Sequence, residues 1–213
     1  MSPSTREQLL DTAARLFHER GFTATGVATI LREAGVNSGS LYHYFENKEA
    51  LLLGVLERYR DLLYPVVMKP VERCEADPIQ RIFRLLKWYR DGLQATECRL
   101  GCPIGNLALE VCDSHPEVRK AVKANFEGWI DAVEAWLTEA GDRLPPDCDR
   151  HALARFVLTV MQGGLMQARA NGTMDAFDSS VAMLRDHVDR LLREAQPRRP
   201  APVSYTHLTL PTN

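Results

Sequence analysis

Between positions 37 and 48 the chain reads NSGSLYHYFENK, which sets small hydroxyl groups, an imidazole and two phenols within one short run. Ser38, Gly39, Ser40, Tyr42 and His43 carry little bulk and offer hydrogen-bond donors. That suits the start of a helix entering a DNA major groove, where backbone amides meet phosphate and short side chains reach base edges. The alternative use of the same residues is a plain corner between two helices that buries its aromatics. A second run, residues 98–117, reads CRLGCPIGNLALEVCDSHPE and holds three of the five cysteines. Thiols there could meet electrophiles or oxidants, or fill core space as small hydrophobes. A zinc reading would need Cys98, Cys102, Cys112 and His115, whose Cys-x3-Cys-x9-Cys-x2-His spacing is no familiar ligand frame, so no metal is expected.

Both runs need helices to position them, and helical periodicity dominates the chain. Ser4 to Glu7 has capping-box spacing, and Leu10, Ala13, Ala14 and Phe17 follow on one face until Gly21. Thr25 reads as the cap of a short helix with Val27, Ile30, Leu31 and Ala34 inward, ended by Gly35. A third helix covers Ser38 to Phe45, and the pair with its Gly-containing turn has the helix-turn-helix form. Asn47 caps a longer helix expected to break near Tyr64, before Pro65 and Pro70. Asp77-Pro78 opens the next, with Ile79, Ile82, Phe83, Leu86 and Leu93 inward. Ser114 to Glu117 has capping-box spacing before a long helix carrying Phe126, Trp129, Val133 and Trp136, closed by Gly141. Two more helices cover about 149–170 and 176–195. The expected fold is all-α with about nine helices and no strand.

Composition narrows the function. Hydrophobic residues are 45% and charged residues 25%, a globular balance that argues against disorder. The longest apolar runs are a few residues, such as Leu51-Leu52-Leu53, so no bilayer span and no membrane partner is expected. No signal-peptide pattern opens the chain, and an odd number of cysteines points to reduced thiols and a cytoplasmic setting. A net charge of −2 excludes coating nucleic acid through bulk positive charge, though not a small reading face. Residues 1–48 balance five basic side chains against five acidic ones, so affinity must come from placement and from two copies acting together. No HExxH, GxSxG, Walker or GxGxxG pattern occurs, so neither an enzyme nor a cofactor is expected. The rival to DNA binding is a helical interaction protein that lacks it.

The run from Thr25 to Leu51 resembles the DNA-binding region of TetR/AcrR-type transcriptional regulators. Ile30, Ala34, Gly35, Val36, Gly39, Ser40, Leu41, Tyr42, Tyr44, Phe45, Lys48 and Leu51 match that pattern, while Leu31 and Asn37 depart from it. The resemblance implies a DNA-binding domain over 1–48 and a sensing and dimerising domain over 49–196. It implies phosphate contacts from Thr25, Tyr42, Tyr44 and Lys48, with Ser38, Gly39, Ser40 and His43 facing the groove of a near-palindromic double-stranded operator. It further implies a homodimer through the last two helices, whose apolar stripes include Phe156, Val160, Gly164, Leu165, Val181, Leu184 and Val188. Burial within one subunit is the other reading of those stripes. An effector cavity is implied among Phe83, Trp88, Tyr89, Phe126, Trp129 and Met161, residues that could equally be core.

Residues 98–117 more loosely resemble a branch of these regulators with a GCxxGNLAxE motif, some of which sense electrophiles or oxidants through cysteine. That implies Cys102 as the sensing thiol, with Arg99 near it and Cys98 one turn away as a resolving thiol if the segment is helical. The expected function is a repressor released from its operator by a small molecule or an electrophile. Residues 197–213 read as a tail, in which Val203 to Asn213 resembles a translated sequencing adapter and is set aside.

Overall fold

The computed structural model describes residues 4–196. The helices are α1 (Thr5–Arg20), α2 (Val27–Ala34), α3 (Ser38–Tyr44), α4 (Lys48–Leu62), α5 (Lys69–Cys74), α6 (Pro78–Ala95), α7 (Pro103–Val111), α8 (Pro116–Glu139), α9 (Arg150–Asn171) and α10 (Asp175–Glu194). A π-helical segment, Leu63–Met68, joins α4 to α5 without a break, so the described residues form nine helical rods and no strand. The expected break at Pro65 is therefore replaced by a wider turn. Pro65 lacks the N–H of a regular α ladder, and the π segment absorbs the defect while the rod continues. Pro70 follows in the first turn of α5. The reading of 203–213 as an adapter lies outside the described residues.

Local capping explains most helix starts. Ser4 and Glu7 form the reciprocal box at α1. Asn37, Asn47, Asp77 and Asp149 each accept a backbone N–H in the first turn of α3, α4, α6 and α9. Two expected caps differ. Thr25 yields to Gly26 as the residue before α2, and Ser114 yields to His115 before α8, where Pro116 takes the first helical position. Ser114 turns its hydroxyl to the Val111 carbonyl instead.

Two apolar clusters divide the molecule. The first joins Leu9, Ala13, Leu16 and Phe17 of α1 with Ile30, Leu41 and Phe45, and is completed by Leu51, Leu52, Val55 and Leu56 of α4. Leu107 and Val111 of α7 and Val118 and Val122 of α8 close it from the other side. The second is built from α6, α8, α9 and α10, with Ile82, Trp129, Val133, Val157, Phe177 and Leu184 inside. Helix α8 is about 36 Å long at 1.5 Å per residue, enough to serve both clusters. Phe126 touches each of them.

Burial corrects part of the expected dimer stripe. Leu165, Leu184 and Val188 are enclosed within one protomer, because α9 and α10 pack closely against each other. Gly164 is enclosed as well, and a Cβ there would stand 2.8 Å from Phe177 Cδ2 and 3.2 Å from its Cα. Apolar groups left facing outward on these helices include Phe156 (45% exposed), Met166 (58%), Met183 (67%) and the half-buried Val160 and Val181.

Candidate nucleic-acid interface and effector cavity

Helix α3 is anchored by one residue, Leu41, fully buried in the first cluster. Its other faces remain outward. Tyr42 is 60% exposed and Tyr44 43%, so the aromatic-burying corner does not describe them. Ser38, Gly39 and His43 are exposed, and the His43 ring meets Tyr44 edge-on at 4.8 Å between centroids. Ser40 is half-buried, and its hydroxyl donates to Asn37 Oδ1 at 3.1 Å, so it supports the cap as well as the outer face. Gly35, at φ 68°, supplies the left-handed turn that lets α3 cross α2.

Two of the expected phosphate contacts are engaged elsewhere. Thr25 is 1% exposed and donates its hydroxyl to the Gly21 carbonyl at 2.6 Å, so its side chain is a strut of the α1–α2 turn and not a contact to DNA. Lys48 donates to the carbonyls of Phe22 at 3.0 Å and Thr25 at 3.2 Å, and its ammonium lies 4.1 Å from the Phe22 ring centroid. Two of its three N–H donors thus hold the turn, which leaves one for a phosphate.

The same turn is held from the other domain by a residue the sequence did not single out. Glu110, in the last turn of α7, accepts from the backbone N–H of Thr23 at 2.7 Å and of Phe22 at 3.0 Å. Burial pulls its carboxyl upward, but those amides and the nearby Lys48 outweigh it and the pKa is lowered. Glu110 closes the GNLALE run, yet its partners lie far away in sequence and no local pattern reveals them.

The start of α7 lies in a cavity of about 400 Å³ between the α4–π rod and helices α6, α8 and α9. Trp88, Tyr89, Phe126, Trp129 and Met161 all line it. Phe83 does not. It is buried in the second cluster, with the Arg185 guanidinium 3.7 Å from its ring centroid. The π segment contributes Leu63, Val66 and Val67 to the wall, and Tyr59, His18, Asn125 and Gln162 are polar lining residues that sequence reasoning missed. Burial lowers the His18 pKa against the opposing bond of its Nε2 to the Gly101 carbonyl at 3.0 Å. Burial, with the Cys102 sulfur nearby, pushes the Tyr59 phenol up to about 12 and raises that of Tyr89 as well.

Cys102 caps α7, and its sulfur accepts from the Gly105 N–H at 3.4 Å and from Gln162 Nε2 at 3.2 Å. It faces the cavity. Cys98 does not, because α6 ends at Ala95 and the following turn puts Glu97 and Cys98 at positive φ. The Cys98 sulfur is buried against Met174 Sδ at 3.6 Å, so the pairing by one helical turn fails. Arg99 reaches back to the Thr96 carbonyl. Cys98, Cys102, Cys112 and His115 do not gather as a ligand set. Among the described residues only Asp131, Glu134 and His151 bring ligand atoms within 4.8 Å of one another. There the His151 ring is already held by Glu134 at 2.7 Å and Arg155 at 2.9 Å.

An outward-facing short helix on a compact helical head, joined to a larger helical body with an apolar cavity, defines a helix-turn-helix regulator. Comparison with known proteins agrees. Residues 9–55 match the family described as bacterial regulatory proteins, tetR family, and residues 78–183 match the LmrA/YxaF-like transcriptional regulator C-terminal domain. The chain belongs to the TetR family of DNA-binding transcription regulators, not to a family of enzymes. It is 30% identical to the HTH-type transcriptional regulator LmrA of Bacillus subtilis, over 64% of this chain and 73% of that protein. It is 29% identical to the HTH-type transcriptional repressor NemR of Escherichia coli, over 85% of this chain and 92% of that one. The crystal structure of a regulatory protein TetR from Rhodobacter sphaeroides superposes with a TM-score of 0.78 at 25% identity, covering 86% of this chain and 98% of that one. No helix among the described residues is long and apolar enough to cross a membrane.

Proposed function

We propose that the chain is a homodimeric cytoplasmic repressor that grips a near-palindromic operator and lets go when its cavity is filled or Cys102 is modified. Helix α7 carries this reading: its first turn lines the cavity through Cys102, Pro103 and Ile104, and its last turn holds the α1–α2 turn through Glu110. A displacement at one end of so short a helix is passed to the other. The DNA-reading unit in this reading is residues 1–48 and the sensing and dimerising unit 49–196, although α4 and parts of α7 and α8 pack into the first apolar cluster and the π segment into the second.

Ser38, Gly39 and His43 are the groove-facing residues in this reading, with Tyr42, Tyr44 and the remaining Lys48 donor on phosphates. The surface groove between α9 and α10, about 860 Å³ and lined by Phe156, Val160 and Met183, supports a dimer face there. Dimerisation would have to set the two α3 helices about 34 Å apart to meet successive major grooves. An effector preferring the wrong spacing by about a hundredfold supplies roughly 2.7 kcal/mol of coupling, which takes an operator held at about 99% occupancy to about half. The relative named a repressor supports the direction of control.

The test is fluorescence anisotropy of the full chain on DNA from upstream of its own gene, with light scattering for mass. Specific binding by a dimer is expected, and N-ethylmaleimide is expected to release wild type but not Cys102→Ser. A monomer on DNA overturns the dimer, and equal release of the serine variant overturns the thiol route.

A further inference from the structure

Among the described residues the cavity is lined without a single Asp, Glu, Lys or Arg side chain, and burial disfavours the charged form of its one histidine, His18. A charged ligand would enter it without a partner, at a cost of several kcal/mol. The polar lining groups are few, and most have committed their hydrogens. The Thr96 hydroxyl donates to the Leu93 carbonyl at 2.9 Å. His18 Nε2 is held by the Gly101 carbonyl, and the Asn125 amide donates to the carbonyls of Leu56 at 3.0 Å and Ala121 at 2.9 Å. Gln162 Nε2 is directed at the Cys102 sulfur. Two donors remain.

Tyr89 Oη accepts from Trp129 Nε1 at 3.1 Å, which fixes the phenol and leaves its own hydrogen to point elsewhere. Among the described residues neither that hydrogen nor the hydroxyl hydrogen of Tyr59 finds an acceptor. Both phenols line this cavity together with Cys102, Tyr59 from α4 and Tyr89 from α6. Both are also held in the protonated, donating form.

We infer that this cavity selects an uncharged, largely apolar ligand through a hydrogen-bond acceptor, a carbonyl oxygen in the simplest case, received by the Tyr59 and Tyr89 hydroxyls beside Cys102. The inference rests on the cavity being the effector site, and it adds which chemistry the site reads. A site built to donate hydrogen bonds rejects an analogue without the acceptor, because its buried donors are then left unpaired.

The matched probes are 9-fluorenone and fluorene, which share one shape and differ by a carbonyl; neither is a thiol alkylating agent. Equilibrium dialysis against the full-length protein is expected to give fluorenone at least a tenfold preference, although fluorene is the more apolar molecule. Tyr59→Phe with Tyr89→Phe is expected to bring the two within about twofold, with fluorene binding kept. In wild type the infrared carbonyl stretch of bound fluorenone moves to lower wavenumber, a readout that needs no variant. Equal affinity in wild type, an unshifted carbonyl, or a preference that survives the double substitution overturns the inference while leaving the effector site intact. Failure of both probes to bind removes the effector site itself, and this inference with it.

Discussion

The Glu110 carboxylate accepts the Thr23 amide at 2.7 Å, so a residue at the end of α7 holds the turn that joins α1 to α2. Lys48 grips the carbonyls of the same turn, so amides and carbonyls are each held by a full charge. Gly21 makes the approach possible, since a Cβ there would stand 3.0 Å from a Glu110 oxygen and its φ of 85° suits glycine. Glu110→Ala is expected to cost about 1–2 kcal/mol, less than a buried charged bond because the group is exposed. That lowers the melting temperature by about 2–8 °C. Glu110→Gln, which keeps one carbonyl acceptor, is expected to lose about half as much. Thermal melting checks the size, and faster exchange of the Thr23 amide checks the cause.

The split use of Lys48 separates it from His43. Lys48→Ala is expected to lower the salt slope of binding by about 1 on every sequence. Because two of its donors hold the Phe22–Thr25 turn, it is also expected to lower thermal stability. His43 is exposed and makes only a ring contact with Tyr44. His43→Ala should leave stability unchanged and alter preference at one operator position by about 1–3 kcal/mol. Anisotropy titrations on singly substituted operators at several salt concentrations distinguish them. Uniform loss for His43→Ala would contradict its placement in the groove.

The α9–α10 stripes divide into residues that hold the subunit and residues that face out. Leu184→Ala is expected to cost about 2–5 kcal/mol by leaving a cavity in the core. Gly164→Ala forces a methyl group into Phe177 and is expected to cost about 1–3 kcal/mol. Phe156→Glu and Met183→Glu, at exposed positions, should leave each subunit folded yet sediment as monomer, with melting lowered only by the lost association. Analytical ultracentrifugation with parallel melting tests the division, and a dimeric double variant would place the interface elsewhere.

Much of the fold was legible because its signals are local. The Ser4–Glu7 box, the Asn47, Asp77 and Asp149 caps and the apolar spacing of α1 and α6 all act within one or two turns. The α3 face was readable for the same reason. The turn bonds of Thr25 and Lys48 are not legible, because their partners at Gly21 and Phe22 are backbone carbonyls, which carry no sequence signature. Periodicity sets Phe83 and Tyr89 about 120° apart around α6 but does not say which side meets a cavity; Arg185 covers the first and Trp129 bonds the second. Glu110 and His18 act across 87 and 83 positions of sequence, beyond any local pattern.

His18 makes that long contact sensitive to pH. Its Nε2 bonds the Gly101 carbonyl next to Cys102, and burial lowers its pKa below the ordinary 6.5 despite that bond. A histidine whose folded pKa is depressed binds its proton more readily in the unfolded chain. Unfolding therefore takes up a proton in this window, and stability rises with pH through it. The contribution is fully present above about pH 7 and is lost as pH falls through the unfolded value of about 6.5 toward the lower folded one. His18→Gln, which keeps an N–H donor but cannot titrate, is expected to flatten the fall in melting temperature between about pH 7 and 5. The measurement is the difference between wild-type and variant melting curves across that range. Parallel curves would show that His18 titrates alike in both states, and that its burial beside the Gly101 carbonyl carries no penalty for charge.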